Sequence, residues 1–181
     1  MIIAFRGPKG VNKNSSVMTL LSAILGQGFS SRLFEKLRDE MGACYYVQAD
    51  YGEYTDHSFL AISTGIEVGR VKEIIRAILE ECCRLTKELV PTDELKKTKD
   101  YLIGNFYLKL ETSDALATFY GLNEVVRGKL ETPRQEELKI RSVTPQDIQK
   151  LAKEIFQNKN LNLAIVGDIK DTKGLKKVLK F

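Results

Sequence analysis

The most restrictive feature of this sequence is a change of hydrophobic period between Ser58 and Leu89. Phe59, Ala61 and Ser63 alternate against Leu60, Ile62 and Thr64, the period-2 pattern of a strand with one buried face. From Glu67 to Leu89, Val71, Ile74, Ile75, Ile78, Leu79 and Cys82 recur at three- and four-residue spacing, which is the apolar face of one long helix, and Pro91 ends it. The preceding segment, Ala43 to Gly52, is rich in Tyr and Val, so it pairs naturally with Ser58 to Thr64 as an antiparallel hairpin turning near Tyr54 to His57.

Other elements flank this hairpin and helix. Ile2 to Phe5 reads as a strand stopped by Gly7 and Pro8. Asn14 or Ser15 can cap a helix with Val17, Met18, Leu20, Leu21, Ile24 and Leu25 inside and Gly26 at its end. After Gly26-Gln27-Gly28, Ser30 and Ser31 can cap a second helix with Leu33, Phe34 and Leu37 on one side and Gly42 as terminator. Beyond Pro91, Thr92 and Asp93 open a helix with Leu95, Tyr101, Leu102 and Phe106 as core candidates; Leu116, Phe119, Tyr120 and Leu122 mark another after Thr112 to Asp114. Thr144 is a natural N-cap with Pro145 at the first helical position, for a helix running to about Phe156. Leu161 to Val166, closed by Gly167-Asp168, is a last strand. The order lacks the regular alternation of a doubly wound sheet, so the expected class is α+β, an antiparallel or mixed β-sheet covered by helices, in one domain over residues 1–181.

The formal net charge is +4, but Lys and Arg alternate with Asp and Glu along most of the chain, which describes a solvated surface. Only Lys170 to Lys180 is clearly basic, and no aromatic residues interleave there to stack on bases, so no nucleic-acid partner is expected. No apolar run has the length of a membrane span, and no membrane partner is expected. MIIAFRGPKG does not have the cationic start of a secretory signal, and Cys44, Cys82 and Cys83 have neither an even count nor metal-ligand spacing. A reducing, cytoplasmic location is the expectation for a bacterial source.

Catalytic chemistry has few candidates. A catalytic zinc takes three converging protein ligands, and His57 is the sole histidine, placed in a predicted turn beside Asp56. The same scarcity works against a Ser-His-Asp or Cys-His arrangement, with Cys44 at the far end of its predicted strand from His57. Gly26-Gln27-Gly28 lacks the Lys and Ser/Thr of a phosphate loop and reads as a hinge between helices. No metal ligand or general base is therefore expected on this chain, and no hydrolysis by it alone.

The most specific segment is Gly28-Phe29-Ser30-Ser31-Arg32-Leu33-Phe34-Glu35-Lys36-Leu37-Arg38-Asp39-Glu40-Met41-Gly42-Ala43-Cys44-Tyr45-Tyr46-Val47. It resembles the signature in the carboxy-terminal half of M16 zinc peptidases, the insulinase and processing-peptidase family, in which a Gly-rich turn and a Ser-Arg-Leu-Phe helix start lead to a Gly-x-x-Tyr-x-Val strand. Leu20 to Gly28, Val90 to Leu95, Val143 to Ile148 and Leu163 to Gly167 resemble further family segments, so nearly the whole chain is covered. Ala43-Cys44 stands where the family often has Leu-Ala, and the loop near Gly26 to Gly28 is shorter than that of the processing-peptidase regulatory subunit.

The resemblance implies a half that grips substrate while a zinc-bearing M16 amino-terminal-type domain or subunit, carrying an inverted His-x-x-Glu-His motif, supplies the metal. The zinc is implied there and not on this chain. Arg38 and Tyr45 are the residues onto which the family's Arg and Tyr pair carries over, as substrate-binding groups for a peptide near the scissile bond. Read without the resemblance, they leave open a surface Arg paired with Asp39 or Glu35 and a Tyr packed on the core. The expected partners are the zinc-bearing half and a peptide, in a homo- or hetero-dimer or on one longer polypeptide. A non-catalytic assembly module of the same fold is the alternative.

Overall fold

The computed structural model describes residues 1–10 and 14–181. Four strands, β1 (Ile2–Arg6), β2 (Cys44–Glu53), β3 (Ser58–Ile66) and β4 (Leu161–Ala164), form one sheet in the order β2-β3-β1-β4, with every pairing antiparallel. The period-2 pattern decides its faces. Ile3, Phe5, Val47, Ala49, Leu60, Ile62 and Thr64 are buried on one side, while Ile2, Gln48, Asp50 and Asn162 of the other side meet solvent.

Helices cover the buried face. α1 (Ser15–Gly26) is buried along almost its whole length, as a helix apolar on all sides must be, because it lies between the sheet and helices α4 (Thr92–Lys109), α6 (Pro133–Ser142) and α7 (Pro145–Ile155). Asn14 stands at its N-cap position without a side-chain capping bond. Gly26 is required at its end, since a Cβ there would lie 2.5 Å from the Ala49 backbone nitrogen of β2. α3 (Val71–Lys87) buries the predicted apolar face against α7 and α8 (Thr172–Val178). The Phe5 ring meets Phe156 edge-on at 4.9 Å and Phe181 at 5.9 Å, which brings the carboxy-terminal residue onto β1.

The expected class and nearly all expected elements are present, with local differences. α2 begins as an α-helical turn, Arg32–Phe34, and widens into a π-helical turn, Glu35–Glu40. Tyr101, expected in the core, lies on the exposed side of α4, and Ile103 is buried instead. The last strand ends at Ala164, and Val166 is fully exposed. Two helices have no counterpart in the expectations. α6 carries the same start signal as α7, with Thr132, Pro133 and Gln135 forming a capping box as Thr144, Pro145 and Asp147 do. α8 is a short helix within the basic tail, capped by Asp171. α5 (Ser113–Leu122), capped by Thr112, continues as a second π-helical turn, Asn123–Arg127. Among the described residues no helix is long and apolar enough to cross a membrane.

Candidate functional site

Two irregularities of the backbone meet at the open edge of β2. The first is the π-helical turn of α2, in which the Met41 amide bonds back to the Lys36 carbonyl and the Ala43 amide to the Leu37 carbonyl. Gly42, in the left-handed conformation at φ 54°, then turns the chain into β2. The wider turn lets Leu37 stay fully buried while Arg38 stands exposed at the edge of the sheet. The second is a β-bulge. Cys44 pairs with Ile66 and Tyr46 with the adjacent Gly65, which leaves Tyr45 as an extra residue without a partner on β3.

The bulge has two consequences. It puts Tyr45 and Tyr46 both on the exposed side, Tyr45 at 73% exposure, where strict alternation would have turned one of them inward. It also frees the Tyr45 carbonyl, which accepts a 2.8 Å hydrogen bond from Arg38 Nη1. Arg38 and Tyr45, seven positions apart in sequence, are thereby brought together. The guanidinium lies 5.4 Å from the centre of the Phe34 ring, and Phe29, itself 83% exposed, meets Phe34 edge-on at 5.2 Å. Among the described residues no carboxylate pairs with Arg38, so neither Asp39 nor Glu35 neutralises it. A planar group fixed through one donor and uncompensated in charge has its other N–H groups available for a carbonyl or carboxylate.

The neighbouring groups are quieter. Gln27 Nε2 donates to the Ala49 carbonyl at 3.2 Å, a second side chain serving the backbone of this edge strand. Burial pushes the Cys44 thiol up, against opposing effects of Thr64 and Arg38, so it is a protonated packing group. His57 sits in the hairpin turn as read from the sequence, with Nδ1 2.6 Å from Asp56 and its ring stacked on Tyr54 at 4.6 Å. A family-type zinc does not fit these residues: His57 is an exposed turn residue with one adjacent carboxylate, and among the described residues no three His, Cys, Asp or Glu side chains converge on a point.

A separate polar cluster joins the far end of β2 to the helices. Glu53 accepts from the Tyr51 hydroxyl at 2.5 Å, from the Ser15 hydroxyl and from Arg127 Nη2 at 3.3 Å, while Arg127 Nη1 lies 3.0 Å from Glu136 and 3.6 Å from Glu131. Burial works against the Arg127 charge, but the Glu136, Glu53 and Glu131 carboxylates outweigh it and hold its pKa above the ordinary value. Burial, reinforced by Glu53, likewise raises Tyr51. Three carboxylates share the one guanidinium, with Lys139 beside Glu131 and Glu136, and these contacts tie β2 to the helices. The contact of Phe34 with Arg38 has a local signal, their four-residue spacing along one helical segment, whereas Glu53 and Arg127, 74 residues apart, carry none.

Residues 1–102, more than half of the chain, match the family described as Peptidase M16 inactive domain. The chain belongs to the peptidase M16 inactive-domain family. An uncharacterized zinc protease of Streptomyces coelicolor is 25% identical over 171 residues, which are 94% of this chain and 37% of that protein. The fold of this M16 domain is shared by a peptidase M16 inactive domain from Pseudomonas fluorescens, at a TM-score of 0.75 and 17% identity over 89% of this chain and 37% of that one. It is also shared by a chain of complex III2 from Candida albicans, at a TM-score of 0.82 and 16% identity, covering 99% of this chain and 46% of the other. The M16 domain thus spans well under half the length of the curated relatives it matches.

Proposed function

We propose that this chain is the substrate-gripping half of an M16 zinc metallopeptidase, acting with a zinc-bearing domain or subunit. The observation that carries the reading is the meeting of a π-helical turn and a β-bulge at one point, where Arg38 is fixed to the Tyr45 backbone and the Tyr45 ring is left in solvent. Both irregularities forgo regular backbone pairing, and both recur at functional sites. A peptide lying along this edge would find guanidinium N–H groups and a phenolic O–H directed at its carbonyls. Donors held in place before reaction stabilise negative charge as it develops on a carbonyl oxygen, and removing one costs on the order of a hundredfold in rate.

The test is peptide hydrolysis by the complete enzyme, with this chain joined to or mixed with its zinc-bearing half. Arg38→Ala and Tyr45→Phe are expected to leave folding intact and lower kcat/KM by about a hundredfold each. Turnover equal to that of the unaltered enzyme would falsify the role assigned to the pair. The second reading is a non-catalytic assembly module, favoured by the fold likeness along 99% of the chain to a complex III2 subunit. It predicts no hydrolysis in any combination and an assembly insensitive to both substitutions.

A further inference from the structure

We infer that the start of α1 opens onto a binding site for the carboxy-terminal carboxylate of a peptide. A cavity of about 960 Å³ lies between α1, α6, α7 and the segment that follows α5. Asn14, Ser15, Ser16 and Val17, four consecutive residues at the start of α1, line it. The Met18 amide bonds to the Asn14 carbonyl at 2.8 Å, and the Ser16 and Val17 amides before it have no acceptor among the described residues. α6 and α7 close their first turns with capping boxes, whereas α1 has neither a side-chain capping bond nor an acidic residue there.

The Ser16 hydroxyl is the second observation. Ser16 is only 8% exposed, and among the described residues its side chain has no hydrogen-bond partner. Nor is it sealed in the interior, as the unpartnered Arg32 Nη1, Glu81 Oε2 and Asn123 Nδ2 are. Ser15 beside it differs, because its hydroxyl donates to Glu53. A buried hydroxyl without a partner costs free energy, so the Ser16 O–H and the two amides form a set of donors that an acceptor in the cavity satisfies.

Charge and volume select that acceptor. Along one wall Arg127 and Lys139 pair with Glu131 and Glu136. Lys129 and Lys150 line the cavity without an ion pair among the described residues, Lys150 acting on Asp147 only through space. Against these two stand Asp147, held in the α7 capping box, and Glu154. The formal charges of the lining therefore cancel, and the surplus is the positive end of α1, about half an elementary charge. One negative charge answers it, whereas a doubly charged phosphate would also meet the carboxylates. Val17, Val143 and Leu151, all buried, give the same cavity an apolar wall, so the carboxylate is one borne on apolar groups. The volume is that of a pocket for a drug-sized ligand, more than a free short-chain acid needs, and it suits the last residues of a peptide. Tyr45 and Glu53 stand about 26 Å apart along β2, at roughly 3.3 Å per residue, so this site is remote from the Arg38 and Tyr45 pair and does not rest on the clamp reading.

Titration of the isotope-labelled full chain with N-acetyl-Ala-Ala-Val, followed by nuclear magnetic resonance at the Ser16 and Val17 amides, tests it. The expected result is a saturable shift of both signals at millimolar peptide, none with the carboxamide of the same peptide, and binding of acetate and of inorganic phosphate at least about tenfold weaker. Ser16→Ala should weaken the peptide about tenfold, the worth of a hydrogen bond to a charged group, with an unchanged melting temperature as the check on folding. The exposed pair Lys129→Gln with Lys150→Gln should weaken it as well, independently of any change at Ser16. Arg38→Ala should leave it unchanged. The inference is overturned by the absence of shifts at tens of millimolar peptide, by a carboxamide that binds as tightly as the acid, by acetate or phosphate binding as tightly as the peptide, or by affinity indifferent to both Ser16→Ala and the lysine pair.

Discussion

Replacing Arg127 with Met should unfasten the far end of β2 from the helical layer. Arg127 is the only cation within reach of Glu53 among the described residues, and it also meets Glu136 at 3.0 Å and Glu131 at 3.6 Å. Removing it leaves Glu53, with a side chain only 10% exposed, to be stabilised by two hydroxyl groups alone. Glu136 and Glu131 keep Lys139. Breaking a fully buried ion pair by deleting one partner costs about 3–5 kcal/mol. Arg127 retains 21% side-chain exposure and its neighbours can hydrate, so about 2–3 kcal/mol is the expected loss here. In urea, with a slope of about 2 kcal/mol/M, the unfolding midpoint should fall by about 1 M with the slope unchanged. A double-mutant cycle with Glu53→Gln isolates the pair, and the coupling should be at least about 1 kcal/mol. A loss below about 0.5 kcal/mol, the range of ordinary surface substitutions, would show that the cluster is solvated and ties nothing together.

Three further outcomes follow from the geometry. Glu137 accepts from Arg141, Arg134 and Tyr107, which lower its pKa from 4.5 to about 2. A carboxylate depressed on folding contributes stability that is complete above its unfolded pKa and lost as pH falls through the folded one, so melting temperature should drop between pH 4.5 and 2, and Glu137→Gln should flatten that drop; parallel pH profiles would contradict it. Gly26→Ala should destabilise by about 1–3 kcal/mol despite alanine's better helix propensity, because the new Cβ meets the β2 backbone; equal or higher stability by urea titration would refute the close approach. Cys82 is buried with its thiol raised, and Cys44 is partly buried with its thiol raised by burial as well, so a disulfide-exchange reagent should modify the partly exposed Cys83 first, Cys44 more slowly and Cys82 only after unfolding, which the time course of released thiolate checks.

The sequence by itself determined the elements whose signals are local. The hairpin, α3 and α7 follow from periods of two and 3.6 and from Thr144-Pro145 at a helix start, interactions within a few residues of one another. The resemblance also brought out Arg38 and Tyr45 as a pair. Why they form one was decided in three dimensions. A π-helical turn depends on keeping Leu37 in the core while Gly42 reverses the chain, and the bulge at Tyr45 depends on the register of β2 against β3, which is imposed by both strands together. The same holds for Tyr101, which has the spacing of a core residue but faces outward because Ile103 takes the buried side of α4. Arg127 and Glu53, 74 residues apart, carry no mark of each other in the sequence. Periodicity encodes which face of an element is buried; only the packing of elements against one another decides which side chains of different elements meet.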